Sequence, residues 1–244
     1  MRNIWIIARK EYKSYFISPV AYAVAFLIFL ILGYIFFSGL LYASTQQQYV
    51  PDVTIILSPM IFIFLFTVPA LTMRSIADER KSGTMELLLT APVRDGELIV
   101  GKWLGGYLFV LTIILVTWIY PIVLNQLIQP GLDQGLMLTG YLGVALATST
   151  FVAIGVAASS LFSNQIAAFF TTLGILLLLW IISNPAQALG PAGGALLNYL
   201  SLSDHFYNTF NQGIIELQDI IYYLSITTLA LFLGSVSVQV RRWS

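Results

Sequence analysis

Gly96-Glu97-Leu98-Ile99-Val100-Gly101-Lys102 has the spacing of a GxxxxGK phosphate cradle. The next residue is Trp103, not the Ser or Thr that would hold magnesium. The intervening Leu, Ile and Val suit a helix entering a bilayer, and no strand pattern precedes them. Nucleotide binding by this chain is therefore rejected, and any ATP hydrolysis coupled to it belongs to another chain. The lone His205 has no second metal-binding side chain spaced near it and reads as a polar loop residue. There is no Cys, hence no disulfide or thiolate chemistry. Ser149, Ser159 and Ser160 lie in an apolar run without a base, and no run holds paired carboxylates, which argues against an intramembrane enzyme. No catalytic, cofactor or metal site is expected.

What remains chemically distinctive is the charged stretch from Arg74 to Lys102. A charged helix is expected to run to Lys81, through Asp78, Glu79 and Arg80, with a glycine joint at Gly83. Beyond it Thr84, Met85, Glu86, Leu87, Leu88 and Leu89 form a short amphipathic helix, which must stop before Pro92. Apolar and acidic faces on a short helix between two membrane spans suit docking against another protein. The plainer reading is a solvated connector.

These residues must be positioned by membrane helices. The chain has 244 residues, is 58% hydrophobic and only 9% charged, so too few charges remain to cover a water-soluble surface. Six apolar segments without Asp, Glu, Lys, Arg or His reach or approach the roughly 20 residues a span needs: 20–41, 54–73, 103–128, 136–162, 166–182 and 220–240. All eleven Lys and Arg residues fall at residues 2–13, 74–102 and 241–242. Cations mark the cytoplasmic side, so both termini and the 74–102 segment are expected there. The loops left outside carry Asp52, Asp133, Asp204, Glu216 and Asp219 and no cation.

Residues 1–18 precede the first span. Ile4, Trp5, Ala8, Tyr12, Tyr15 and Phe16 share one helical face, with Arg2, Arg9, Lys10 and Lys13 beside it, as in an interfacial helix broken at Ser18-Pro19. A charged flank without that helix is the alternative. The long external segment 183–219 is rich in helix breakers, then aromatic, and is expected to form short helices dipping into the interface. Gly101 and Gly105 form a GxxxG, and Gly140, Gly143, Gly155 and nearby alanines continue the small-residue theme, as close helix packing requires. The neutral polar residues Asn125, Gln126, Thr148, Ser149, Thr150, Thr171 and Thr172 are expected mostly to hydrogen-bond between helices.

The pattern Arg74-Ser75 … Asp78-Glu79-Arg80-Lys81-x-Gly83-Thr84-x-Glu86-Leu87-Leu88 … Pro92 … Gly101-Lys102 resembles the permease subunits of type-2 ABC exporters. The likeness is nearest to the gliding-motility-associated subgroup, whose members also begin with a stretch like Arg9-Lys10-Glu11-Tyr12. It covers essentially the whole chain. It implies an all-α integral membrane fold of six transmembrane helices, an N-terminal amphipathic elbow helix containing Arg9 to Tyr12, and a coupling helix between helices 2 and 3. Short external helices would lie between helices 5 and 6. It further implies that Asp78 to Leu89 dock on a separate ATPase subunit, which holds the ATP and magnesium. A second permease subunit, identical or different, completes the pathway in a prokaryotic inner membrane. A periplasmic-domain protein is a further candidate partner, and no nucleic acid is expected.

The alternative is an ion-coupled secondary transporter or a membrane scaffold without ATPase coupling. Secondary transporters usually place carboxylates or histidines within spans, and these spans have none. A third variant keeps the exporter architecture but uses the stroke mechanically on an envelope substrate.

Overall fold

The computed structural model describes residues 2–45, 50–83, 93–129, 131–186 and 190–242. Its regular elements are all helical among those residues. In chain order they are α1 (Arg2–Tyr15), α2 (Pro19–Thr45), α3 (Thr54–Thr72), α4 (Ala77–Lys81), α5 (Asp95–Val116) and α6 (Ile119–Leu127). There follow α7 (Gln134–Leu161), α8 (Gln165–Ile181), α9 (Gly190–Leu200), α10 (Leu202–Tyr207), a 3-10 turn at Phe210–Gln212, and α11 (Leu217–Arg242).

Among the described residues, five segments are long and apolar enough to cross a membrane: Pro19–Thr45, Thr54–Lys81, Asp95–Leu127, Gln134–Leu161 and Leu217–Val240. The apolar helix α8 has 17 residues, about 26 Å of rise against a hydrocarbon core of roughly 30 Å.

α7 is the axis of the bundle, and α3, α5, α8 and α11 all pack on it. Its small residues make this possible. A Cβ at Gly140 would strike Leu57, one at Gly143 would lie 2.5 Å from Cβ of Phe210, and one at Gly155 would strike Thr72. Those neighbours show α3 running parallel to α7. Trp103 and Tyr107 donate to the carbonyls of Ser149 and Ala145 at 3.0 and 3.1 Å, which makes α5 antiparallel. Thr150 reaches both the Tyr223 carbonyl (3.1 Å) and the Thr227 hydroxyl (3.0 Å), tying α7 to α11. The other polar residues do less than expected between helices. Thr148 and Thr172 return to their own carbonyls at Val144 and Ala168, the local alternative open to a helical threonine. Asn125 instead accepts from the Leu132 amide and shapes a turn.

The 103–128 segment is broken at Thr117–Trp118 rather than continuous. Pro121 has no N–H to give the Thr117 carbonyl, and the Tyr141 hydroxyl donates to that carbonyl at 3.1 Å instead.

Between α9 and α11, short elements form a packed cap over α3, α7 and α11. Phe206 and Phe210 are fully buried in it. Tyr222 and Tyr223, at the start of α11, donate to the carbonyls of Leu200 and Leu202 at 2.7 and 2.9 Å, and Tyr207 donates to Ser58 at 3.2 Å.

Candidate functional site

The amphipathic pattern of residues 2–15 forms a single helix, and α1 does not stand free. It lies lengthwise along the start of α5, in the same direction. Asn3 donates to Glu97 at 3.1 Å, and further on the Tyr12 and Thr112 hydroxyls meet at 3.0 Å. The GxxxG explains this closeness. A Cβ at Gly101 would stand 2.8 Å from Ile7, and one at Gly105 would stand 2.5 Å from Cβ of Glu11 and 2.8 Å from the Ala8 carbonyl. These glycines therefore serve an intramolecular contact with the N-terminal helix. Tyr15 stacks on Phe109 at 4.9 Å. Burial, with the Glu11 carboxylate adding to it, pushes the Tyr15 phenol well above its ordinary pKa, so it stays protonated.

Lys102 sits one residue past Gly101, on the face turned toward α1 and α4, and is only 2% exposed. Its ammonium uses all three protons. One goes to Glu11 Oε1 at 2.8 Å, one to Glu79 Oε1 at 2.8 Å, and one to the Ser75 carbonyl at 2.7 Å. The lysine of the rejected phosphate motif thus ties α1, α4 and α5 together through charge.

α4 is held from other directions too. Ser159 Oγ accepts from the amides of Ile76 and Ala77 at 3.0 and 3.1 Å and donates to the Met73 carbonyl at 3.1 Å. It does for the start of α4 what a local cap would otherwise do. Arg80 donates to the Ser160 carbonyl at 2.9 Å, near the end of α7, where Ser237 of α11 also donates at 3.2 Å. Gln165, at the start of α8, donates to Asp78. Two part-buried carboxylate contacts and several to the backbone thus join one short helix to α5, α7 and α8 and, through Lys102, to α1. Gly83 follows α4 with φ +71°, a left-handed conformation suited to glycine and to a sharp change of direction.

Of the residues singled out in the sequence, Asp78, Glu79 and Arg80 point into this hub, and Glu11 joins them from α1. Lys81 and Gly83 are exposed, as are Arg9 and Lys10, while Tyr12 is half-buried. Thr84, Met85, Glu86, Leu87, Leu88 and Leu89 lie outside the described residues. Lys102, Ser159 and Gln165 were missed as functional. Lys102 did carry a signal, because a cation at the edge of an apolar run needs a carboxylate.

His205 is a correction. It is buried, not a polar loop residue. Its Nδ1 lies 2.5 Å from Asp219 Oδ1 and its Nε2 2.9 Å from the Tyr199 carbonyl, while the ring stacks on Tyr222 at 3.8 Å. Both ring nitrogens therefore meet oxygen atoms, which fixes the orientation of the ring. No group of three metal-binding side chains gathers among the described residues.

The described residues form a helical bundle with long apolar helices and a charged hub at one end. The match to a family model defines it further. Residues 5–241 match the model described as ABC-2 family transporter protein, and the chain belongs to that family. It is the multi-pass, non-catalytic membrane permease component of an ABC-2 type transporter. Comparison with curated proteins gave no match.

Proposed function

We propose that this chain receives force from a partner ATPase through the segment rooted at α4 and passes it into the bundle. In this reading it crosses the membrane six times, α8 included, with both termini and residues 74–102 on the cytoplasmic side of a prokaryotic inner membrane. The lever divides in two. Asp78, Glu79 and Arg80 are its root, engaged with the bundle, and Thr84 to Leu89 are the part that meets the ATPase, where ATP and magnesium belong. α1 is the elbow helix, and two permease subunits enclose the pathway, whose work is export or mechanical action on an envelope substrate. The finer likeness to gliding-motility permeases rests on Arg9-Lys10-Glu11-Tyr12, and the Glu11 contact gives that stretch a physical reason.

The observation that carries this reading is the pair of 2.8 Å contacts from Lys102 to Glu11 and Glu79. A helix tied to four others cannot tilt alone. Coupling then needs no continuous path of matched residues, only a root whose displacement is shared.

The test is recovery of the ATPase subunit with the purified permease from native membranes. Glu86→Lys should lower recovery at least about tenfold, the effect of setting like charge against a docked surface. Glu11→Gln should keep the ATPase bound while lowering ATP turnover of the assembled complex. Unchanged recovery with Glu86→Lys would remove the docking assignment.

A further inference from the structure

The outer flank of the α1–α5 pair forms an open groove of 540 Å³, lined by Trp5, Arg9, Tyr12 and Lys13 from α1 and by Leu108, Leu111, Thr112 and Leu115 from α5. We infer that this groove seats one anionic phospholipid, its phosphate on Arg9 and Lys13 and an acyl chain along Leu108, Leu111 and Leu115.

The two walls differ in kind. Arg9 and Lys13 are four residues apart, so they stand on the same face of α1 one turn from each other. Both are exposed, and neither has a carboxylate partner among the described residues. That contrasts with Lys102 on the opposite side of the same pair of helices, whose charge is fully matched. The α5 wall is apolar apart from Thr112, and Leu115 carries it one turn beyond Thr112, the partner of Tyr12. The cations of α1 thus stand beside Leu108 and Leu111, and Leu115 extends the apolar wall further along the span. Trp5, 58% exposed, sits beside the cations, where amphipathic aromatic rings collect at a membrane interface. A fatty acyl chain alone would leave both cations without a counter-charge. A soluble anion would leave the leucine wall without a partner. A phospholipid with a net negative headgroup satisfies both, as basic pockets between spans do elsewhere.

This rests only on the chain being a membrane protein with α5 as a span, not on ATPase docking, so its test needs no partner. The full chain, purified in neutral detergent, is titrated with phosphatidylglycerol, phosphatidylcholine and glycerophosphoglycerol, the headgroup without its chains. Phosphatidylglycerol should bind at least about tenfold tighter than phosphatidylcholine, and R9Q/K13Q should weaken it about thirtyfold. Leu111→Gln should weaken phosphatidylglycerol while leaving the headgroup alone unaffected. Lys10→Gln, on the same helix but outside the groove, should change nothing. Equal binding of the two lipids, or undiminished binding by R9Q/K13Q, would overturn the seat. So would a loss with Lys10→Gln as large as that of R9Q/K13Q, which means diffuse surface charge. Headgroup binding as tight as that of the whole lipid would assign a free anion instead.

Discussion

The two ends of the bundle are held together by different physics. At the hub, one buried lysine joins two carboxylates and a carbonyl, the amides at the start of α4 rest on Ser159 Oγ, and the Arg80 side chain donates to the Ser160 carbonyl. At the cap, aromatic rings fill the space. Phe206 and Phe210 are buried, Tyr222 and Tyr223 reach across to α9 and α10, and His205 Nδ1 meets Asp219 Oδ1. Directional bonds to a few atoms are lost together when one element moves. Apolar packing resists displacement over its whole area. The contrast suits an end that transmits motion and an end that stays closed over the spans.

The sharpest way to break this comparison is Lys102→Met. It leaves the Glu11 and Glu79 side chains, 14% and 18% exposed, facing each other with no cation between them. Removing one partner from a buried charge pair costs about 3–5 kcal/mol. Thermal unfolding of the purified chain should show that loss, and adding Glu11→Gln and Glu79→Gln should restore part of it. A wild-type melting temperature for the single variant would mean that the hub bears no load.

His205→Leu asks the same of the cap. It strands Asp219 Oδ1, while Oδ2 of that buried residue already lacks a hydrogen-bond partner. A loss of about 1–3 kcal/mol is expected, the cost of a buried polar atom left without its partner. Faster proteolysis between α10 and α11, with the hub unaffected, is the local readout. Asp219→Asn should do less, since an amide needs no counter-charge.

A closer pairing sets Gly105→Ala against Gly143→Ala. Both added methyls would stand 2.5 Å from a facing Cβ, of Glu11 in one case and of Phe210 in the other. Overpacking of this kind costs about 1–3 kcal/mol. Gly105→Ala should be the worse of the two, because its methyl also meets the Ala8 backbone carbonyl at 2.8 Å, which cannot rotate away. Loss of a disulfide engineered between positions 3 and 97 would report α1 lifting from α5.

Much of the bundle was legible in the sequence because a membrane span is a one-dimensional signal. Composition over about 20 residues decides it, and Pro19 and Gly83 mark changes of course, whereas the break at Thr117–Trp118 inside the expected 103–128 span was not read from it. The hub was not legible, because its bonds join residues 91 and 23 positions apart, and nothing local to Lys102 names Glu11 or Glu79. The GxxxG announced a close approach without saying to what. His205 misled for a related reason. A lone histidine in a breaker-rich stretch looks solvated until Tyr199, Tyr222 and Asp219 are folded around it. Arg9 and Lys13 were visible as cations, but that neither meets a carboxylate among the described residues appears only in three dimensions.

The smallest expected effect tests the link between root and bundle most directly. Ser159→Ala removes the acceptor of the Ile76 and Ala77 amides and the donor to Met73, all with Ile76 and Ala77 fully buried. An unsatisfied buried amide costs about 1–3 kcal/mol, and water reaching the freed groups would bring the figure toward the lower bound. The charge network of Lys102 is untouched by this change, so the loss should fall mainly on the start of α4. Hydrogen exchange is then the decisive measurement. Amides of residues 76–81 should exchange faster, while those of α10 keep their protection. Uniform loss of protection across both ends would show that hub and cap unfold as one unit, and the division of labour between them would have to be given up.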